Sequence, residues 1–74
     1  MTLNEVAIGS LCKVTRLPGS GALKRRIMDM GITKGTEIKV VKIAPLGDPM
    51  ELNVRGYDLS VRKNEAATVE VEPL

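Results

Sequence analysis

The stretch APLGDPMELNVRGYDLSVR, residues 44–62, predicts a proline-braced loop followed directly by a two-strand hairpin. Apolar and polar side chains alternate on both sides of Gly56-Tyr57, which is typical of paired strands with one buried face. We assign Gly56-Tyr57 as the two-residue loop because a type II′ turn takes Gly at its first central position. Counting from this turn pairs Arg55 with Asp58, Asn53 with Ser60 and Glu51 with Arg62 facing outward, and Val54 with Leu59 and Leu52 with Val61 facing inward.

Three further segments show the alternation of short strands, and they are residues 10–17, 36–43 and 68–72. In the first segment Cys12 and Val14 face inward. In the second segment the alternation changes phase at Val40-Val41, which indicates a β-bulge or a sharp bend. The chain is therefore expected to form five short strands.

A helix is predicted between the first two of these strands. It begins at Gly21 or Ala22, with the Ser20 hydroxyl accepting a hydrogen bond from the first free amides. It ends at Gly31, which suits the left-handed residue after a helix, and Ile32 then folds back onto the last turn. The side chains predicted to face the core are Leu23, Ile27 and Met30, and those predicted to face away are Lys24, Arg25 and Met28.

Two short segments complete the predicted fold. Residues 3–9 form a loop whose apolar residues close one end of the core, and residues 63–67 form one helical turn. The expected class is mainly β, a small five-stranded SH3-like barrel with one α-helix after the first strand and a helical turn before the last. Closing such a sheet into a barrel removes its exposed edges. A chain of 74 residues has room for one domain, residues 1–74.

The composition excludes several kinds of chemistry. The chain has no His, Trp or Phe, and Tyr57 is its one aromatic residue. Without His there is no usual general base, no catalytic triad and no Cys/His zinc site, so we predict neither an enzyme nor a resident cofactor or metal. Cys12 is interpreted as a buried structural thiol. The carboxylates interpreted as surface groups and not as ligands of a hard cation are Asp48, Glu51, Asp58 and Glu65.

Charge and hydropathy restrict the partners. The formal net charge is +2, and one aromatic residue does not form a base-stacking platform, so no nucleic acid is expected as a partner. No apolar run approaches the roughly 20 residues of a membrane span and no signal segment opens the chain, so we expect a cytoplasmic protein that is not embedded in a membrane. The sequence leaves the oligomeric state open, including a weak homo-oligomer.

The loop at residues 44–50 is the strongest candidate for a binding surface. Pro45 and Pro49 restrict its backbone, so little conformational entropy remains to be lost when a partner docks. Leu46 at the tip is then a plausible anchor. On the residues alone an alternative is equally good, in which Leu46 and Met50 fold back over an open end of the barrel.

Four motifs between residues 23 and 62 form one pattern. They are LKRRIMDMGI at residues 23–32, Gly35-Thr36, APLGDP at residues 44–49, and LSVR at residues 59–62. This pattern resembles the FeoA family of small proteins of bacterial ferrous iron uptake. Lys34 stands where the family often has Pro, which affects the stiffness of a turn and not the assignment. The resemblance implies a cytoplasmic SH3-like barrel that assists FeoB, the membrane permease with a GTPase domain.

The resemblance also implies where the chain acts. It suggests contact with the cytoplasmic GTPase side of FeoB through the loop residues Leu46, Gly47, Asp48, Pro49 and Met50, and secondarily through Lys24, Arg25 and Met28 on the helix. The alternative is a transition-metal-binding or metal-responsive regulatory module, because the family is often described as metal-binding and related barrels end the DtxR-type repressors. No DNA-binding helix pair precedes the barrel here, which favours the first interpretation.

Overall fold

The computed structural model describes the whole chain, Met1–Leu74. Its elements are a 3₁₀ turn at Leu3–Glu5, β1 at Leu11–Arg16, α1 at Ala22–Asp29, β2 at Glu37–Ile43, β3 at Met50–Val54, β4 at Tyr57–Val61, α2 at Lys63–Ala66 and β5 at Glu70–Pro73. All five strands belong to one antiparallel sheet in the order β4-β3-β2-β1-β5. The predicted class is confirmed: the chain is mainly β, with a helix after the first strand and a helical turn before the last.

The inner face of the sheet packs onto a single cluster of 15 buried apolar side chains. Cys12 and Val14 belong to this cluster, as the alternation in β1 predicts. In β2 the predicted change of phase is confirmed, because the pairing with β3 shifts register between Val40 and Lys42. Val40 is fully buried and Val41 is 40% exposed, so the bulge directs Val41 outward.

The hairpin turns one residue earlier than predicted. Arg55 and Gly56 form the two-residue loop with φ of 54° and 86°, and positive φ at both positions is the mark of a type I′ turn. The predicted pairing is therefore wrong by two residues along β4, although the same side chains face inward because the period of a strand is two. The pairs are Met50 with Val61, Glu51 with Ser60, Leu52 with Leu59, Asn53 with Asp58, and Val54 with Tyr57.

This register changes the polar contacts across the hairpin. The predicted pair of Arg55 with Asp58 is replaced by a hydrogen bond in which Asn53 Nδ2 donates to Asp58 Oδ1 at 2.9 Å. Arg55 instead lies in the turn, and its Nη2 donates to Thr36 Oγ1 at 3.4 Å.

The helix α1 is attached to the core mainly by its C-terminal half. Ile27 is its one buried residue, while Leu23, predicted to face the core, is 41% exposed. The predicted cap is also wrong, because Gly21 occupies the N-cap position and makes no side-chain hydrogen bond. Ser20 lies one residue too early to reach the amides that a cap serves. Neither helix is long and apolar enough to span a membrane.

The end of α1 follows the prediction. Gly31 has a φ of +89°, and its amide donates to the Met28 carbonyl at 2.9 Å. The Ile32 amide donates back to the Ile27 carbonyl at 3.3 Å, and the Ile32 side chain is fully buried. This pair of bonds is the Schellman pattern, in which the residue after a left-handed glycine packs onto the helix.

The N-terminal segment closes one end of the core, as predicted for Leu3 and Val6, which are 0% and 6% exposed. The prediction is wrong for Ile8, which is 58% exposed. A turn at Ile8 and Gly9 explains the difference, because the Gly9 amide donates to the Val40 carbonyl at 2.7 Å and directs Ile8 outward. The segment also contains a 3₁₀ turn where we expected an irregular loop.

Candidate functional site

The loop between β2 and β3, residues 44–49, is closed by its own backbone. The Gly47 amide donates to the Ala44 carbonyl at 2.7 Å, and the Ala44 amide donates to the Pro49 carbonyl at 3.1 Å. Gly47 has a φ of +86°, a conformation that few other residues adopt. Leu46 lies at the tip and is 96% exposed, so it does not fold back over the barrel.

Met50 does not belong to this exposed loop. It is the first residue of β3, pairs with Ile43 and Val61, and is 1% exposed. Its assignment as a contact residue is therefore wrong. The signal was present in the sequence, because Met50 has the same phase as Leu52 and Val54 and continues their inward face.

Asp48 joins the loop to α2. Its Oδ1 atom accepts a hydrogen bond from the Lys63 amide at 3.0 Å, although the two residues are far apart in the sequence. Pro49 is exposed beside it. The loop is thus fixed at its base to the first residue of α2, while its tip remains free.

Glu65 was predicted to be a solvated surface group, and this is wrong: it is 3% exposed. Its Oε1 atom accepts a hydrogen bond from the Arg62 amide at 2.9 Å, and its Oε2 atom lies 3.2 Å from Arg26 Nε. The first contact is the Glu half of a capping box at the start of α2, and Arg62 stands where the usual sequence signal has Ser or Thr. The contact with Arg26 has no local signal.

A cleft of about 330 Å³ lies between the loop, the end of β4 and the two helices. We call it the docking cleft, and its lining residues are Arg26, Asp48, Pro49, Ser60, Val61, Arg62 and Glu65. The sequence predicts the loop and α1 as two separate candidate surfaces, but the docking cleft brings the loop next to α1.

The predicted helix residues lie elsewhere on α1. Arg25 and Met28 are exposed and Lys24 is half-buried. They line a separate shallow groove of about 400 Å³ with Ser20, Gly21 and Asp29. The helix therefore reaches the docking cleft through Arg26, a residue that was not among the predicted contacts.

The polar groups of the docking cleft differ in how they are paired. Both oxygens of Glu65 and one oxygen of Asp48 take part in bonds within the fold. The guanidinium of Arg62 is exposed and makes no ion pair. The terminal nitrogens of Arg26 make no side-chain hydrogen bond within the chain. The cleft therefore presents hydrogen-bond donors to a partner.

The chain offers few groups for covalent chemistry or metal binding. Cys12 is fully buried, as predicted, and burial raises the pKa of its thiol above the ordinary value of 9.0. It is therefore a protonated, inaccessible thiol at neutral pH. No three side chains of Cys, Asp or Glu come together in a group that could hold a metal ion.

Comparison with known proteins finds the same family that the four sequence motifs resemble. The family model of the FeoA domain matches residues 1–73. The solution structure of an FeoA-like protein from Clostridium acetobutylicum is 50% identical, with a TM-score of 0.94 and coverage of 100% of this chain and 86% of that one. FeoA of Stenotrophomonas maltophilia, a prokaryotic SH3 domain protein crystallised with zinc, is 30% identical, with a TM-score of 0.79 and coverage of 97% and 89%.

A relative in Porphyromonas gingivalis joins two proteins in one chain. It is a fusion of Fe(2+) transport protein A with the Fe(2+) transporter FeoB, and it is 39% identical over 72 residues. The match covers 97% of this chain but only 8% of the fusion protein.

More distant structures share the fold alone. A manganese-dependent transcriptional repressor has a TM-score of 0.89 at 15% identity, over 99% of this chain and 40% of the repressor. The expected SH3-like architecture is confirmed by the prokaryotic SH3 protein, and the FeoA domain spans nearly every residue. The chain therefore belongs to the FeoA family.

Proposed function

We propose that this chain is an accessory protein of ferrous iron transport that acts by direct contact with the cytoplasmic GTPase side of an FeoB permease. It works by shape and has no catalytic activity of its own. The fusion protein of P. gingivalis supports this proposal, because a single chain there holds the FeoA-like and FeoB parts together. Covalent linkage keeps two binding partners at a high effective concentration.

The observation that carries the proposal is the exposure of Leu46. A leucine that is 96% exposed contributes nothing to the core, yet it lies at the tip of a loop closed by two backbone hydrogen bonds. Such a loop is pre-organised, so binding there costs little additional conformational entropy. Leu46 is then the apolar anchor of the contact, and the neighbouring loop residues Gly47, Asp48 and Pro49 surround it.

The docking cleft supplies the polar part of the same surface. Arg26 and Arg62 present donors beside the loop, and a carboxylate of the permease can accept bonds from them. The outer face of α1 remains a second contact candidate, with Lys24, Arg25 and Met28. Met50 is excluded from this surface because it is buried.

The decisive experiment is a binding titration with the isolated GTPase domain of the permease. Leu46→Asp should weaken binding by about tenfold or more, since a buried charge replaces an apolar anchor. The matched control is Tyr57→Asp, because Tyr57 is 74% exposed but lies at the opposite end of the β3–β4 hairpin. Equal affinity of the Leu46→Asp variant and the parent chain would reject the loop as the anchor.

A second candidate function is direct binding of a transition metal, which the zinc complex of the S. maltophilia relative favours. Anaerobic titration of this chain with ferrous iron tests it. Tight binding by the isolated chain would support the metal function. Binding that appears only after the permease domain is added would instead indicate that ligands come from both proteins.

A further inference from the structure

Strand pairing does not close the sheet, contrary to the expectation that closure removes its edges, and the chain covers only one of the two edges. Along β5, Thr2 forms a bridge with Glu70, and the Val71 amide donates to the Met1 carbonyl at 2.9 Å. The N-terminal segment therefore shields the outer side of β5. The opposite edge is β4, and no segment of the chain pairs with its outer side.

The outer side of β4 exposes the backbone groups of two residues. The residues that flank a two-residue loop bond to each other, so Tyr57 and Leu59 direct their amides and carbonyls toward β3. Asp58 and Ser60 consequently direct theirs away from the sheet, and neither makes a backbone hydrogen bond to any turn or loop. Ser60 lines both the docking cleft and a second cleft of about 200 Å³, so its surroundings are open.

The edge carries one of the features that prevent pairing with another chain, the charged side chain of Asp58, and lacks most of the others. Natural edge strands are blocked by Lys, Pro, bulges or covering segments. The sequence of β4, YDLSV, contains neither Lys nor Pro, and its register with β3 has no shift. Asp58 is its one charged residue.

We propose that β4 pairs with β4 of a second copy of this chain, antiparallel and symmetric about Leu59. In this register Asp58 exchanges backbone hydrogen bonds with Ser60 of the second copy, and symmetry repeats the exchange. These are the two residues whose backbone groups are free. The self-complementary register therefore uses every exposed donor and acceptor of the edge.

The side chains also match in this register. The Ser60 hydroxyl lies opposite the Asp58 carboxylate of the second copy and can donate to it. On the other face Tyr57 lies opposite Val61 of the second copy, which pairs an aromatic with a β-branched residue. Leu59 lies opposite Leu59 of the second copy, which forms an aliphatic pair. No two like charges are directly opposite each other. A strand of five residues buries much less than the roughly 1,200 Å² of a stable interface, so the dimer is weak and forms at high protein concentration.

Two substitutions at Ser60 test this register, because one should strengthen dimerisation and the other should weaken it. Ser60→Lys places an ammonium group opposite Asp58 of the second copy and should tighten dimerisation by about threefold to tenfold. Ser60→Asp places a carboxylate there and should weaken dimerisation by a similar factor. Sedimentation equilibrium over a range of concentrations measures both, and added salt at about 0.5 M should reduce the difference. Ordinary edge protection predicts the reverse for Lys, which normally blocks an edge.

Amide hydrogen exchange provides a readout at the residues themselves. The Asp58 and Ser60 amides should gain protection as the protein concentration rises, while the Leu59 amide is already bonded to β3 and changes little. A chain that stays monomeric at millimolar concentration would overturn the proposal. So would changes of the same sign in both Ser60 variants, or protection that appears only when the permease domain is added, because the edge would then serve a strand of a different protein.

Discussion

Arg26 Nε and Glu65 Oε2 form an ion pair at 3.2 Å, with the Glu65 side chain 4% exposed and the Arg26 side chain 64% exposed. This pair joins α1 to α2. Asp48 joins the 44–49 loop to the same short helix through the Lys63 amide. The loop and α1 are therefore both fixed to α2, which holds the two walls of the docking cleft in one arrangement.

Glu65→Ala should lower the free energy of unfolding by about 1–3 kcal/mol, because it removes both the cap at the Arg62 amide and the partner of Arg26. Arg26→Ala should lower the free energy of unfolding by less, about 1 kcal/mol or under, because the Arg26 guanidinium is largely exposed and its charge is screened by solvent. Urea unfolding measures both. A Glu65→Ala variant as stable as the parent chain would show that α2 does not depend on this carboxylate.

Met50→Ala should lower the free energy of unfolding by about 2–5 kcal/mol, as expected when a fully buried side chain is truncated. Leu46→Ala should change it by less than about 0.5 kcal/mol, because Leu46 touches almost nothing in the fold. The pair separates a core residue from a surface residue within one short segment. Comparable losses of stability in the two variants would mean that Leu46 packs against the chain.

Arg55→Asn should raise the free energy of unfolding by about 0.5–1 kcal/mol, because Asn accepts the left-handed conformation that Arg55 adopts at a φ of 54°. This variant loses the contact from Arg55 Nη2 to Thr36 Oγ1, which is long at 3.4 Å, so its loss offsets little of the gain in the free energy of unfolding. Thermal or urea unfolding gives the answer. Gly56→Ala is the opposite control and should destabilise the same turn. Destabilisation by Arg55→Asn would contradict the type I′ assignment.

The stability of the N-terminal turn should depend on pH through Glu5. The Thr2 amide at 2.7 Å and the Thr2 hydroxyl at 3.0 Å both donate to Glu5 Oε1, and these bonds lower the pKa of Glu5 below its ordinary value of 4.5. A depressed pKa in the folded chain stabilises it above the ordinary value, and this stabilisation disappears as the pH falls through the folded value. Glu5→Gln should therefore be less stable than the parent chain at pH 7, and the difference should shrink at acid pH, below the ordinary value of 4.5. A difference that stays constant between neutral and acid pH would contradict this.

The features that the sequence predicted correctly depend on local chemistry. The end of α1 at Gly31 and the bulge after Val40 each follow from a few neighbouring residues, since only glycine readily adopts the left-handed conformation and a change of phase requires an extra residue. The exposure of Leu46 was one of two alternatives that the residues left open, and the structure decides between them.

The features that the sequence missed depend on longer range or on degenerate patterns. The sequence did not predict the register of the hairpin, because a shift of two residues leaves the same side chains facing inward. Hydrophobic alternation therefore does not distinguish the two pairings. The sequence did not predict the burial of Glu65, because its partner Arg26 lies on a distant segment. Leu23 has helical spacing with Ile27, but α1 buries only Ile27, and spacing alone does not reveal how far a helix reaches over the core.

The contact between the loop and the permease is tested most directly by mapping it with NMR. Unlabelled GTPase domain of the permease is added to the isotope-labelled chain, and the shifts of the backbone amides are followed. Docking through the loop and the docking cleft should shift the amides of Leu46, Gly47 and Asp48 and those near Arg26, and leave the Tyr57 amide unchanged. Changes confined to the hairpin turn, with the loop unaffected, would contradict it.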